Sequence, residues 1–111
     1  MNNARLDDMV KGWFVGDFEP SSFKSNECEV AVKSYVAGDK EPLHHHKIST
    51  EITLILTGEA WIVGRKWAPG DIVVLLPGES TNFEAITDCK TVVVKIPSVK
   101  NDKHLGAPEN D

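Results

Sequence analysis

Cysteine is scarce. Cys28 and Cys89 are the only two among 111 residues, and they stand far apart without the close spacing of a metal finger. Both lie in apolar-leaning segments. They read as buried free thiols, with a disulfide between them as the alternative. Positive charge is in deficit: Lys plus Arg is 12 and Asp plus Glu is 17, a formal net charge of −5. Lys95, Lys100 and Lys103 are local charges with Asp102 among them, so there is no basic stripe and a general nucleic-acid role is disfavoured. No run approaches the roughly 20 apolar residues of a membrane helix. The opening MNNARLDDMVKGWF has no apolar run of the signal-peptide kind, and the expectation is a cytoplasmic protein that meets no membrane. Internal repeats, low-complexity segments and linkers are absent. So is any stretch between strands with a helical period of ten or more residues, which excludes a βαβ architecture.

What is present is a series of short apolar segments separated by turn signals. Residues 13–18 read as a short strand ending near Pro20. Segment 28–36 alternates, with Cys28, Val30, Val32, Ser34 and Val36 on one face and Glu29, Ala31, Lys33 and Tyr35 on the other. EITLILT, AWIV, IVVLL and CKTVVVKI follow as strands, with a weaker one over 82–86. Gly38, Gly58, Pro69-Gly70 and Pro77-Gly78 mark turns, and Asp71 reads as a residue capping turn amides. Seven or eight short strands with turns every six to twelve residues make an all-β sandwich or barrel. Residues 1–26 read as an N-terminal arm with a short strand, 27–97 as the barrel core, and 98–111 as a polar C-terminal tail.

Three of the four histidines are consecutive, His44, His45 and His46. The run is internal and placed between a turn and a strand, which is not how a purification tag sits. On an extended backbone His44 and His46 share a face and His45 takes the other. A reversal near Ile48-Ser49 brings Glu51 beside the pair. Two imidazoles and a carboxylate are a sensible partial shell for Mn, Fe, Ni, Co or Zn. The competing reading is a surface cluster, or histidines hydrogen-bonded to Glu41 or Glu51. With Glu51 inward, Thr53, Ile55 and Thr57 point inward too, and Ile52, Leu54 and Leu56 point outward. That outer row is too apolar for water and calls for a covering arm, a second sheet or a partner subunit.

These residues resemble the cupin family. Its first motif is a glycine, five residues, His-x-His, three or four residues, Glu, six residues and a glycine, matched here by Gly38, His44, His46, Glu51 and Gly58. The second motif is matched in part, by Gly70, Asp71, Pro77 and Gly78. The position of that motif's metal-binding histidine holds Thr81, followed by Asn82. The resemblance implies an all-β double-stranded β-helix, a jelly-roll barrel, and a divalent metal on His44, His46 and Glu51, with Thr81 a poor fourth ligand. Three readings follow from Thr81. The metal is held by three residues and waters; or Thr81 or Asn82 holds a metal-bound water; or the metal is lost and the cavity binds a small ligand without it. His104, in the tail, is not expected to substitute.

An open metal face would suit a ligand with a carboxylate beside a hydroxyl or carbonyl, or a sugar-like one. Isomerase, lyase and dioxygenase activities occur among the proteins this chain resembles. The alternative is a non-catalytic, small-molecule-binding cupin. Glu51, Tyr35 and Glu84, with Lys33, are candidate acid–base groups. Tyr35 also reads as a structural aromatic, and Lys33 and Glu84 as solvated or rim ion pairs. Thr53, Thr81, Asn82 and Phe83 are the candidate ligand-pocket residues. By resemblance to small cupins, and from the doubly apolar EITLILT strand, a homodimer is expected.

Overall fold

The computed structural model describes residues 1–109. After a single 3-10 turn at Leu6–Asp8 the chain forms eleven strands: β1 (Trp13–Gly16), β2 (Phe23–Lys24), β3 (Glu29–Tyr35), β4 (Lys40–His46), β5 (Thr50–Thr57), β6 (Ala60–Ile62), β7 (Arg65–Trp67), β8 (Ile72–Leu75), β9 (Ser80–Ala85), β10 (Cys89–Ile96) and β11 (Lys103–Leu105). They make two sheets, ordered β2-β1-β3-β10-β5-β8 and β11-β4-β9-β6-β7. The two sheets face one another as the halves of a jelly-roll barrel.

Alternation along each strand decides what fills the space between them. Ile55, Val73, Leu75 and Cys89 come inward from the first sheet, and Ala60, Ile62, Phe83 and Ala85 from the second. These make a dry aliphatic plug in one half of the barrel. Trp67 packs against it, donating its indole N–H to the Ile62 carbonyl at 2.9 Å. The other half encloses a cavity of about 440 Å³, lined by polar side chains on one side and by residues of the plug on the other.

Four strands were not foreseen, β2, β4, β7 and β11. β7 closes a hairpin on β6 through Val63 and Gly64. β11 comes from the segment read as a polar tail and pairs antiparallel with β4, placing Lys103 opposite His46, His104 opposite His45 and Leu105 opposite His44. Three consecutive polar-apolar residues carry too little pattern to announce a strand, and the pairing is supplied by an edge that β4 leaves open. The last two residues of the tail lie outside the described residues. Both cysteines are free thiols; Cys89 is buried and Cys28 partly so.

Candidate metal centre and cavity

β4 begins as an irregular strand. Its register against β9 shifts between Glu41 and His44, so Pro42 and Leu43 form a bulge, where a proline costs no ladder hydrogen bond. The extra residue changes the phase of the alternation. As a result Glu41 and His44, three apart, both face the cavity, and His46 follows two residues on. The chain then turns back at residues 47–49, and β5 brings Glu51 up beside His46.

That turn is tied by one side chain. The Asp102 carboxylate accepts from the backbone N–H groups of Lys47, Ile48 and Ser49 at 2.9–3.2 Å. Burial pushes this carboxyl upward, but the amide hydrogen bonds outweigh it and hold it below its ordinary value. The Asp102 carbonyl also accepts from His46 Nδ1 at 3.0 Å, so a single residue fixes both the turn and a ring.

The imidazole tautomers follow from their partners. His44 Nδ1 lies 2.9 Å from the Pro42 carbonyl. A carbonyl oxygen can only accept, so Nδ1 carries the proton in both rings and each Nε2 is left with a lone pair. His46 Nε2 is buried without a hydrogen-bond partner; its nearest polar neighbour is Glu51 Oε1 at 3.7 Å. The ligand atoms of His44, His46 and Glu51 all lie within 4.8 Å of one another. Burial holds the His44 pKa below the usual imidazole value, with the nearby Lys103 charge acting in the same direction, so the ring is neutral near pH 7. Burial raises the Glu51 carboxyl, but its attraction to the facing His46, His44 and Lys95 side chains outweighs this and brings the net value below the ordinary one. Two imidazoles that offer Nε2 lone pairs when neutral, with one carboxylate, form a donor set that fits a divalent transition metal. The orphaned Nε2 of His46 is the observation that such an ion would explain.

The other expected residues fall in different places. Thr53 and Thr81 are buried and line the same cavity, as does Phe83. Thr81 stands opposite His44 in register, and its hydroxyl donates weakly to the Asn82 carbonyl at 3.3 Å. Asn82 touches the rim, but its amide oxygen accepts from the Val63 N–H at 2.9 Å, an outward, structural contact. Glu84 faces out, paired with Lys40 at 3.0 Å, and is not part of the cavity. His45 turns to the opposite face and stacks on His104 with centroids 5.4 Å apart; its Nδ1 donates to the Gly106 carbonyl at 2.7 Å. His104 is therefore away from the triad.

Tyr35 lies inside, stacked on Phe83 at 4.3 Å, with its hydroxyl donating to Glu41 Oε1 at 3.2 Å. Burial and the Glu41 carboxylate drive its pKa far above the usual phenol value, so it is a hydrogen-bond donor and not a base. Glu41 also takes the Lys33 ammonium at 3.0 Å. Glu29, Lys95 and Trp13 complete this polar wall. Neither Glu29 nor Lys95 was singled out from sequence as a site residue. The inward face of β3 carries Glu29, Lys33 and Tyr35, a polar trio whose shared parity was the available signal.

No family model matches the chain, and no curated protein sequence matches it. Solved structures do. A conserved double-stranded β-helix protein from Klebsiella pneumoniae superposes with a TM-score of 0.69 over 76% of this chain and 74% of its own, at 21% identity. An RmlC-like cupin from Shewanella frigidimarina superposes at 0.64 over 69% of this chain and 72% of its own, at 15% identity. The fold is that of the cupins. Among other structures with this fold, the DMSP lyase DddQ from Ruegeria pomeroyi spans 99% of this cupin-fold chain and 59% of its own length, at 24% identity and a TM-score of 0.70. Identities this low carry the fold and not an activity.

Proposed function

We propose that this cupin-fold protein binds a divalent transition metal through His44, His46 and Glu51, and a small polar ligand beside it in the same cavity. The observation that carries the reading is the pair of Nδ1–carbonyl hydrogen bonds, which leaves both Nε2 lone pairs free within reach of the Glu51 carboxylate. A bound ion would polarise a carboxylate, hydroxyl or carbonyl of the ligand as a Lewis acid. The residues of the chain do the rest. Tyr35 presents a fixed phenol held by Glu41. Thr53 and Thr81 offer hydroxyls at the wall. Phe83 and the aliphatic plug exclude water from one side. An isomerase or lyase fits this arrangement, since it needs a chelating acid or sugar and a polarised carbonyl; so does a dioxygenase if the ion is iron. Thr81 opposite His44 favours the second reading, a binding protein in which the cavity works without a metal.

Elemental mass spectrometry decides between them, on untagged protein purified without chelator or nickel resin. Near-stoichiometric Mn, Fe, Ni, Co or Zn that is lost in His46→Ala establishes the centre. No metal after incubation with these ions leaves the ligand-only reading.

We also infer a cytoplasmic homodimer. Two free thiols accord with a reducing compartment. Among the described residues no helix is long and apolar enough to cross a membrane. The dimer reading is supported by the outer face of the six-stranded sheet. Ile72 and Val74 are 59% and 51% exposed there. Beside them Ile52, Leu54, Val92 and Val94 are only half-buried. A second copy of the same uncharged aliphatic face is the partner such a surface matches.

A further inference from the structure

One wall of the cavity is charged, in a barrel that holds an apolar plug in its other half. Lys33 Nζ lies 3.0 Å from Glu41 Oε1, and Lys95 Nζ lies 3.2 Å from Glu29 Oε1. Both ammonium groups also flank a single indole: they stand 5.6 Å and 5.1 Å from the ring centroid of Trp13. Their side chains are 17% and 14% exposed, so these are not solvated surface lysines.

An ion pair buried for architecture alone is a poor stabiliser. Removing two charges from water costs several kcal/mol per ion, and an apolar pair of the same volume serves as well or better. The barrel has an aliphatic plug and does not need these pairs for closure. An ammonium carries three N–H donors, and among the described residues each lysine meets one carboxylate. Each keeps donors for something else. Glu29 is held from its far side by Ser98, whose hydroxyl donates to Oε2 at 2.8 Å, so Lys95 need not satisfy it alone. Lys95 is also the direct cross-strand neighbour of Glu51, which puts the lysine pair on the same floor as the triad.

The charge balance points the same way. Four lysines and four glutamates line the cavity. It is therefore neutral when the imidazoles are neutral, and carries an excess of two positive charges once a divalent ion sits on the triad. In a low-dielectric, half-enclosed space that excess favours a ligand with two negative charges.

We propose that Lys33 and Lys95, held on either side of Trp13, form an anion subsite, and that the ligand is a small organic acid with two anionic groups. One end, a carboxylate beside a hydroxyl or carbonyl, meets the triad; the other anionic group meets the lysines. This inference rests on the metal-centre reading and narrows its ligand from any polar small molecule to a dianionic acid.

Calorimetric titration of the manganese-loaded protein tests it, with racemic malate, 3-phosphoglycerate, glycolate and glucose as probes. Glycolate has the chelating end alone. Malate and 3-phosphoglycerate keep that end and add a second anionic group, as carboxylate or phosphate, and the better of the two identifies which. The expected result is that one of them binds at least tenfold more tightly than glycolate, with glucose weakest. In Lys33→Gln and Lys95→Gln that ratio falls to about one, and Lys33→Arg, which keeps the charge, restores it. A wild-type ratio near one overturns the subsite while leaving the metal centre standing, and so does a ratio that survives in the Lys33→Gln/Lys95→Gln double variant. If neither manganese nor Fe, Ni, Co or Zn is retained, the metal reading has failed by itself. The subsite is then judged with succinate on the metal-free protein. Binding that both glutamine variants abolish upholds it, and no binding overturns it.

Discussion

At the residue scale the centre depends on atoms that touch no ligand. The Pro42 and Asp102 carbonyls choose the tautomer of His44 and His46, and the Asp102 carboxylate holds the turn that brings Glu51 alongside. Asp102→Ala would leave three amides of residues 47–49 without their acceptor. Each lost buried partner costs about 1–3 kcal/mol, partly recovered by water, so a loss of roughly 2–4 kcal/mol is expected in urea unfolding. Asp102→Asn keeps one acceptor oxygen and should lose less. The sign of the acid dependence follows from the depressed pKa. The unfolded chain takes up this proton near the ordinary value of 3.8 and the folded chain only at lower pH. The stabilisation is therefore complete above that value and disappears as pH falls through the folded pKa. Unfolding midpoints measured from pH 5 to pH 3 should fall less steeply in Asp102→Asn than in the wild type. Metal binding should show a different profile. Protons compete for the two Nε2 lone pairs, and His44 is hard to protonate. Manganese affinity should hold through neutrality and decline only as pH drops below about 6.5, the usual imidazole value; an affinity that keeps rising well above pH 7 would point to another ligand set.

At the element scale, the bulge in β4 and the turn after β5 carry the architecture. Gly58, the last residue of the first motif, has φ +80°, and a Cβ there would run into the Asp88 carbonyl and the Cys89 backbone. The neighbouring strand passes too closely for any side chain, so this glycine serves close approach as well as a left-handed turn. Gly38, at φ +91°, has nothing within 4 Å of such a Cβ and serves the turn alone. Gly58→Ala should therefore cost more than Gly38→Ala, which pays only the left-handed strain of about 1–2 kcal/mol. Thermal unfolding of the two variants side by side reads the difference, and equal losses would mean that the β5–β10 approach relaxes freely. β3 shows what pattern alone cannot tell. Its two faces were legible as Val30, Val32 against Glu29, Lys33, Tyr35, yet the more apolar row is the outer one. The cavity claims the polar row because the wall it completes surrounds the candidate centre.

At the scale of the whole molecule, the six-stranded sheet has one face on the cavity and one face bare. Ile52, Leu54, Ile72, Val74, Val92 and Val94 lie on three adjacent strands, β10, β5 and β8. The N-terminal strands pair at the β3 edge and do not cover them. A standard interface buries about 800 Å² per partner, which a sheet face of this extent can supply. Light scattering at micromolar concentration should give the mass of two chains, and Val74→Glu, which puts a charge at the centre of the face, should give one chain with the metal content unaltered. A monomeric wild type would mean that the face meets some other surface.

The sequence by itself determined the strand-rich class, the turns, and the His44, His46 and Glu51 set, because each of these is written in short-range spacing: alternation of two, glycines at turns, and two histidines sharing parity. It did not determine the second wall. Glu29, Lys33 and Tyr35 come from β3 and Glu41 from β4, while Lys95 and Ser98 lie on a segment nearly 70 residues beyond Glu29. Only pairing β3 with β10 and bulging β4 brings them into one space. The same holds for β11, whose three residues form a strand because β4 offers an edge, and for Asp102, whose carboxylate finds three amides more than 50 residues earlier. Local pattern records what a strand or turn requires of its own residues. Which face is buried, and which charges meet inside, is settled by tertiary packing, where the desolvation of one side chain depends on neighbours distant in sequence.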